Sequence, residues 1–297
     1  MNDKNAIREI YRITIFGTFL NVLLAGAKII AGHFGRSASL FTDGLHSLSD
    51  LSTDVAVLLG TKFSEKAPDE EHPYGHRWHE TLSTLFISAA LVAVGGYSIR
   101  KAFLAAEHPQ SIAGAGWLYA ITVISILSKE LLYQATAKSA RKTHSSALMA
   151  NAWHHRSDSL SSIAVLAALI ATRFGIPYAD SLGAGIVGLM ILAAALKLLG
   201  SVFREFSNSS VNKDTLSAVR QIAENIPEIG QVHRIRSRNV GREVFLDFHM
   251  LVAPEMSVEK AHEISELCES AITESLNVPV NIIVHIEPDR PEKRHDN

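Results

Sequence analysis

Six predominantly apolar stretches occupy residues 9–33, 38–63, 80–104, 114–138, 147–173 and 177–203. Each is long enough to cross a hydrocarbon core, which takes about 20 residues of helix. A chain with six such stretches does not fold around one water-soluble core, because that much apolar helix surface needs lipid around it. The averages hide this: mean hydropathy is only +0.14 and 20% of residues are charged, but the charge is concentrated after residue 203. The sequence therefore predicts an α-helical membrane protein with six transmembrane helices in residues 1–206, a polar linker over 207–211 that includes Ser207-Asn208-Ser209-Ser210, and a separate domain beyond it. The first stretch is too long and too late for a cleaved leader. An even number of spans leaves both termini on one side. Lys4, Arg8, Arg12, Lys62, Lys66, Arg77, Lys138, Arg141, Lys142 and Arg204 share that side, against Arg36, Arg100, Lys101 and Arg173 opposite. The positive-inside rule makes it cytoplasmic.

Residues 212–288 read as a compact cytoplasmic α+β unit. Apolar side chains recur at helical spacing over 213–225 (Leu216, Val219, Ile222, Ala223), and 231–238 form a short strand. Residues 244–252 alternate strictly, with Val244, Leu246, Phe248, Met250 and Val252 on one face and Phe245, Asp247, His249 and Leu251 on the other. An amphipathic helix over 257–275 turns Val258, Ala261, Ile264, Cys268 and Ala271 inward, and a last strand covers 280–287. The order αββαβ implies a small open-faced sandwich of the metallochaperone-like kind. Residues 289–297 are polar and expected to be disordered.

A net charge of -2 lacks the basic stripe a nucleic-acid binder needs, so no nucleic-acid partner is expected. The single cysteine, Cys268, excludes a disulfide framework and a Cys-rich zinc module. Fourteen histidines exceed what packing requires, and they fall in groups. In the second stretch Asp43, His46 and Asp50 stand at i, i+3 and i+7; in the fifth, Asn151, His154 and Asp158 repeat that spacing. Residues four apart lie one above the other on a helix. Two His-x-x-x-Asp helices together supply two imidazoles and two carboxylates, a tetrahedral set that suits Zn²⁺. Ionisable groups inside a bilayer are costly, so such a face is functional by default. His155 points about 100° from His154, and Asp54 and Ser157 read as pore-lining or interhelical contacts. The second and fifth helices, rich in polar residues, belong inside the bundle. Gly95-Gly96, Gly183, Gly185 and Gly188 let the third and sixth approach their neighbours. Between the second and third helices, Pro73 and Gly75 break helical geometry, so a loop can bring Asp69, His72 and His76 onto one ion.

The six spans, the paired His-x-x-x-Asp motifs, the loop Asp69-Glu70-Glu71-His72-Pro73-Tyr74-Gly75-His76 and the αββαβ tail together resemble the cation diffusion facilitators, over residues 8 to 288 or so. The resemblance implies a homodimer in the lipid bilayer of a bacterial inner membrane, exporting divalent metal from the cytoplasm in exchange for protons, with no enzymatic activity. It assigns His46, Asp50, His154 and Asp158 to the transport site. Asp43, Asn151 and His155 are left behind those ligands or on the path to them. Asp69, His72 and His76 take a second metal position, with His79 and Glu80 shaping the loop. His233, His249, His262, His285 and Glu287 match a binuclear site bridging the dimer; His285 and Glu287, two apart on a strand, share a face. Trp78, with Arg77 beside it, replaces a basic residue that in the family pairs across the dimer.

Zn²⁺ fits the transport set best, with Fe²⁺, Co²⁺ and Cd²⁺ also suited, as transported and regulatory ion rather than cofactor. Imidazoles must be neutral to bind metal, so protons compete with it, and no Gly-x-x-x-x-Gly-Lys-Ser/Thr loop exists to drive transport with ATP. Two other classes compete. An intramembrane zinc protease needs an open coordination position and a base, but His79-Glu80 and His262-Glu263 do not complete His-Glu-x-x-His. A non-transporting scaffold is favoured by loss of a tetrad ligand, and none is lost.

Overall fold

The computed structural model describes residues 3–64, 66–107, 115–143, 146–276 and 278–294. Six long helices come first: α1 (Asp3–Phe34), α2 (Ala38–Ser64), α3 (Trp78–Glu107), α4 (Ala115–Thr143), α5 (Ser146–Arg173) and α6 (Ala179–Phe206). Among the described residues, three stretches are long and apolar enough to cross a membrane: Ile13–Phe34, Trp78–Glu107 and Ala179–Phe206. Helices α2 and α5 carry Ser, Thr, His and Asp among their apolar residues.

Leu40, Ile87, Leu91, Leu118, Val165, Leu169, Val187 and Ile191 form the buried apolar core of the bundle. Ile15, Phe16, Phe19 and Leu23 on α1, with Leu189 and Leu196 on α6, stay exposed, an apolar surface of the kind lipid covers. The start of α2 is fixed by Asp180 of α6, whose carboxylate accepts the Ala38 N–H at 2.6 Å and the Ser37 hydroxyl at 2.7 Å. That places a negative charge where the orphan N–H groups of α2 point. Gly44 lets α2 lie against α1, since a Cβ there would stand 2.8 Å from the Ile29 backbone nitrogen. Of the glycines expected at close approaches, Gly95, Gly183 and Gly188 make them, but Gly96 faces open space and Gly185 meets nothing nearer than the Ala102 Cβ at 3.8 Å.

The chain forms two compact units, Met1–Ala56 with Phe86–Leu198, and Val57–Leu85 with Leu199–Asn297. The second unit takes in the polar linker over 207–211. The ends of α2, α3 and α6 belong with the C-terminal domain, and contacts in this second unit give the reason. Trp78 stacks on Phe206 with centroids 5.3 Å apart, Arg77 Nε lies 3.1 Å from Glu243, and Arg242 Nε lies 3.1 Å from Glu80.

In the C-terminal domain α7 (Lys213–Glu224), β1 (Ile229–Val240), β2 (Glu243–Val252), α8 (Val258–Ser275) and β3 (Val280–Pro288) realise the expected αββαβ order. Asn212 and Ser257 cap the two helices, accepting the Thr215 and Lys260 N–H groups. The sheet order is β1-β2-β3, with β1 antiparallel and β3 parallel to β2. Leu246, Phe248, Met250 and Val252 pack against Val219 and Ala223 of α7 and Ala261, Ile264, Cys268 and Ile272 of α8. Val258, expected inward, sits in the first turn of α8 and is 86% exposed, and Ile272 rather than Ala271 completes the stripe. The tail expected to be disordered is ordered at its start: Pro291–Lys293 form a short 3₁₀ turn, and Arg294 reaches back to both Asp289 oxygens at 2.8 and 2.7 Å. Residues 295–297 lie outside the described residues.

Candidate metal centres

Helices α2 and α5 carry the first centre. His46, Asp50 and Asp158 place ligand atoms within 4.8 Å of one another. His154 Nε2 joins them, 4.0 Å from Asp50 Oδ2 and 3.9 Å from Asp158 Oδ2, and His46 Nδ1 is 3.7 Å from Asp50 Oδ2. The i, i+4 repeat on each helix produces this, since both His-x-x-x-Asp faces turn toward one another. Burial is uneven: the Asp158 side chain is 5% exposed and His154 42%.

Asp43 makes its contacts on α1 and α5. It is fully buried, bound by Lys28 Nζ at 2.8 Å and by the Ser161 and Ser162 hydroxyls at 3.2 and 2.9 Å. The carboxylate is engaged in tying α1, α2 and α5 together, because a buried lysine claims it. His155 is buried on the side of α5 facing Gly17 and Leu132, Asn151 is half-buried and Ser157 exposed. The Asp54 side chain lies outside the described residues.

The second centre is the α2–α3 loop. Asp69 Oδ1 accepts the His72 N–H at 2.8 Å and faces His72 Nδ1 at 3.1 Å, while its Oδ2 lies 3.4 Å from His76 Nε2. Gly75, at φ +79°, makes the turn that brings the two imidazoles to 4.4 Å between centroids, tilted by 42°. The ammonium of Lys66, 2.8 Å from Asp69 Oδ2, holds that carboxyl well below the usual carboxylate range, helped by the His72 N–H. His79 bonds the His76 carbonyl, and Glu80 turns to Arg242.

The third centre crosses the sheet. In register, His233 pairs with His249 and His249 with His285, so three imidazoles form one row over β1, β2 and β3. Glu287, two residues along β3, lies 3.7 Å from His233, 3.3 Å from His249 and 3.5 Å from His285. Burial pushes the Glu287 carboxyl up, but Lys293 and the surrounding histidines outweigh it and leave the group below its ordinary value. His262 does not join this cluster. It stands 68% exposed on α8 beside Glu266, because α8 lays its Ala261–Ile264–Cys268 face on the sheet and residue 262 points about 100° from it.

Two residues that sequence reasoning passed over now matter. Lys28 and Lys129 lie fully inside the helical unit, and Lys129 Nζ is 2.6 Å from Asp158 Oδ2. The signal was present: a lysine in the middle of a long, largely apolar helix needs a named partner.

A helical bundle with a His/Asp cluster, joined to a domain with its own His/Glu cluster, defines a metal-handling membrane protein. Residues 14–206 match the cation efflux transmembrane domain and residues 211–289 the cytoplasmic domain of cation efflux proteins, so the chain belongs to the cation diffusion facilitator family. It is an integral membrane protein for efflux of divalent metal cations, with a cytoplasmic C-terminal domain. An uncharacterised transporter of Methanocaldococcus jannaschii is 32% identical over 95% of this chain and 99% of its own length. The metal tolerance protein C1 of Arabidopsis thaliana is 31% identical over 94% of this chain, which spans 62% of that protein. The manganese efflux system protein MneP of Bacillus subtilis is 27% identical over 93% and 95% of the two chains. Among solved structures, the MamM C-terminal domain in a copper form is 26% identical, covering 28% of this chain and 91% of its own, with a TM-score of 0.26.

Proposed function

We propose that this chain works as a homodimer of six-span protomers that exports Zn²⁺ from the cytoplasm in exchange for protons, with His46, Asp50, His154 and Asp158 as the transport site. The observation that carries the reading is the convergence of these four side chains from α2 and α5. Two imidazole nitrogens and two carboxylates favour Zn²⁺ and accept Fe²⁺, Co²⁺ or Cd²⁺. Imidazoles, which ordinarily titrate near about 6.5, bind metal only when neutral. Protons arriving from a more acidic side therefore weaken the hold on the ion, while Asp50 and Asp158 supply the charge that lets it enter the bilayer. The loop and sheet clusters serve as further metal positions, the latter regulating the dimer. The match to the cytoplasmic domain of cation efflux proteins supports dimerisation through that domain. A second reading, Mn²⁺ as the main cargo, is favoured by the manganese efflux relative.

Uptake into proteoliposomes with Zn²⁺, Mn²⁺, Fe²⁺, Co²⁺ and Cd²⁺, with and without a pH gradient, tests this. Zn²⁺ flux should lead the series, rise with an opposing proton gradient, and fall close to background in Asp158→Ala. Undiminished flux in Asp158→Ala removes the site; flux indifferent to collapse of the gradient removes proton exchange; a Mn²⁺ preference selects the second reading.

A further inference from the structure

We infer that Lys129 is a resident counter-ion of the transport site: its ammonium occupies Asp158 between cargo ions and must be displaced for metal to load. The inference rests on the transport-site reading above. Lys129 lies in the middle of α4 with its side chain 1% exposed, and among the described residues its ammonium has one partner, Asp158 Oδ2, at 2.6 Å. That oxygen is the one facing His154 Nε2, so the ammonium sits on the atom a metal would take.

The other buried lysine shows the contrast. Lys28 is held by Asp43 at 2.8 Å, Ser162 at 2.9 Å and Ser47 at 3.4 Å, which matches the three donors of an ammonium. Lys28 is a fixed tie, whereas Lys129, with one acceptor, is free to swing on its four-carbon stem. With neutral imidazoles the two carboxylates leave the site doubly negative, and the ammonium cancels half of that. A divalent ion and an ammonium sharing Asp158 repel each other at close range in a medium that screens weakly, so loading moves Lys129 away. The work of displacing it subtracts from metal affinity, and its return to Asp158 favours release. Lys129 thus exchanges affinity for turnover.

The test uses purified full-length protein carrying His72→Ala, His76→Ala, His249→Ala and His285→Ala, so that the other two clusters lose most of their ligands, titrated with Co²⁺ and read by the visible band of tetrahedral cobalt. Zn²⁺ flux is measured on the same variants in proteoliposomes. Lys129→Met, or Lys129→Gln if the first does not fold, should bind Co²⁺ at least tenfold tighter than its parent and turn over more slowly. Lys129→Arg, whose guanidinium grips a carboxylate with two bonds, should bind Co²⁺ several-fold more weakly. If neither neutral variant folds, the arginine variant decides: affinity equal to or above the parent's overturns the inference. Asp158→Ala separates the two readings. If it keeps the cobalt band, the transport-site assignment is wrong; if it loses the band while the neutral variants bind no tighter than the parent, only the counter-ion role is.

Discussion

A lysine held in place inside a bilayer needs a partner for its charge, and Lys28 is tied by Asp43, so the two stand or fall together. Asp43→Asn leaves a buried ammonium uncompensated and should cost about 3–5 kcal/mol. Lys28→Met with Asp43→Leu, which removes both charges, should recover most of it, and thermal denaturation in detergent measures the difference. Cys268 shows the opposite use of burial. Packed under α8, its thiol is pushed by burial, with Glu269 adding, from an ordinary 9.0 up to about 11. Thiolate is the reactive form, so iodoacetamide should leave Cys268 unmodified in native protein at pH 8 and label it once urea opens the domain. The folded thiol keeps its proton where the unfolded one loses it, so the stability it contributes is intact below pH 9 and lost as pH rises through 11. The urea midpoint for labelling should fall between pH 8 and pH 10.5, and a constant midpoint contradicts the assignment. The His and Asp side chains of the first cluster were legible because their i, i+4 spacing repeats on two helices. Lys28 and Lys129 stand out as lone lysines in apolar runs, but their partners were not legible, because each comes from another helix and leaves no spacing.

Helices α2 and α5 each bring half of the proposed transport cluster, so whatever fixes their ends fixes its geometry. Asp180 caps α2 from the start of α6. Asp180→Ala should lower stability by about 1–2 kcal/mol and, by loosening α2, weaken Co²⁺ binding more than Ser257→Ala, which uncaps α8 in the other unit. Melting temperature and cobalt absorbance of the two variants make the comparison. Period-two and period-3.6 patterns located every strand and helix of the C-terminal domain to within a few residues. The row of His233, His249 and His285 needed more, since register between β1, β2 and β3 is set by pairing partners distant in sequence. The exposed Val258 and the ordered turn after Pro288 escaped notice for a similar reason: helical phase does not say where the sheet ends, and Asp289 and Arg294 read as solvent-facing charges until the turn brings them together.

At the scale of the molecule, the α2–α3 loop and the β1–β2 hairpin belong to one compact unit, fastened by two crossed ion pairs, Arg77 with Glu243 and Arg242 with Glu80. Glu243→Arg sets two arginines against each other and should cost about 1 kcal/mol, as partly exposed pairs do. Arg77→Glu with Glu243→Arg should restore most of that, and a double-mutant cycle on the thermal midpoint gives the coupling. Strict additivity of the two changes would mean that the pair contributes nothing. The sequence by itself determined the membrane class, the αββαβ domain and the residue types of three His/acid clusters, because hydropathy, periodicity and local spacing act within one element. Only the tertiary structure decided that Asp43 answers to Lys28, that Asp158 carries an ammonium, that His262 stands apart from the sheet cluster, and that the ends of α2, α3 and α6 pack with the C-terminal domain. Each of these depends on which elements meet, and that is set by packing between residues as many as 166 positions apart, as in Arg77 and Glu243.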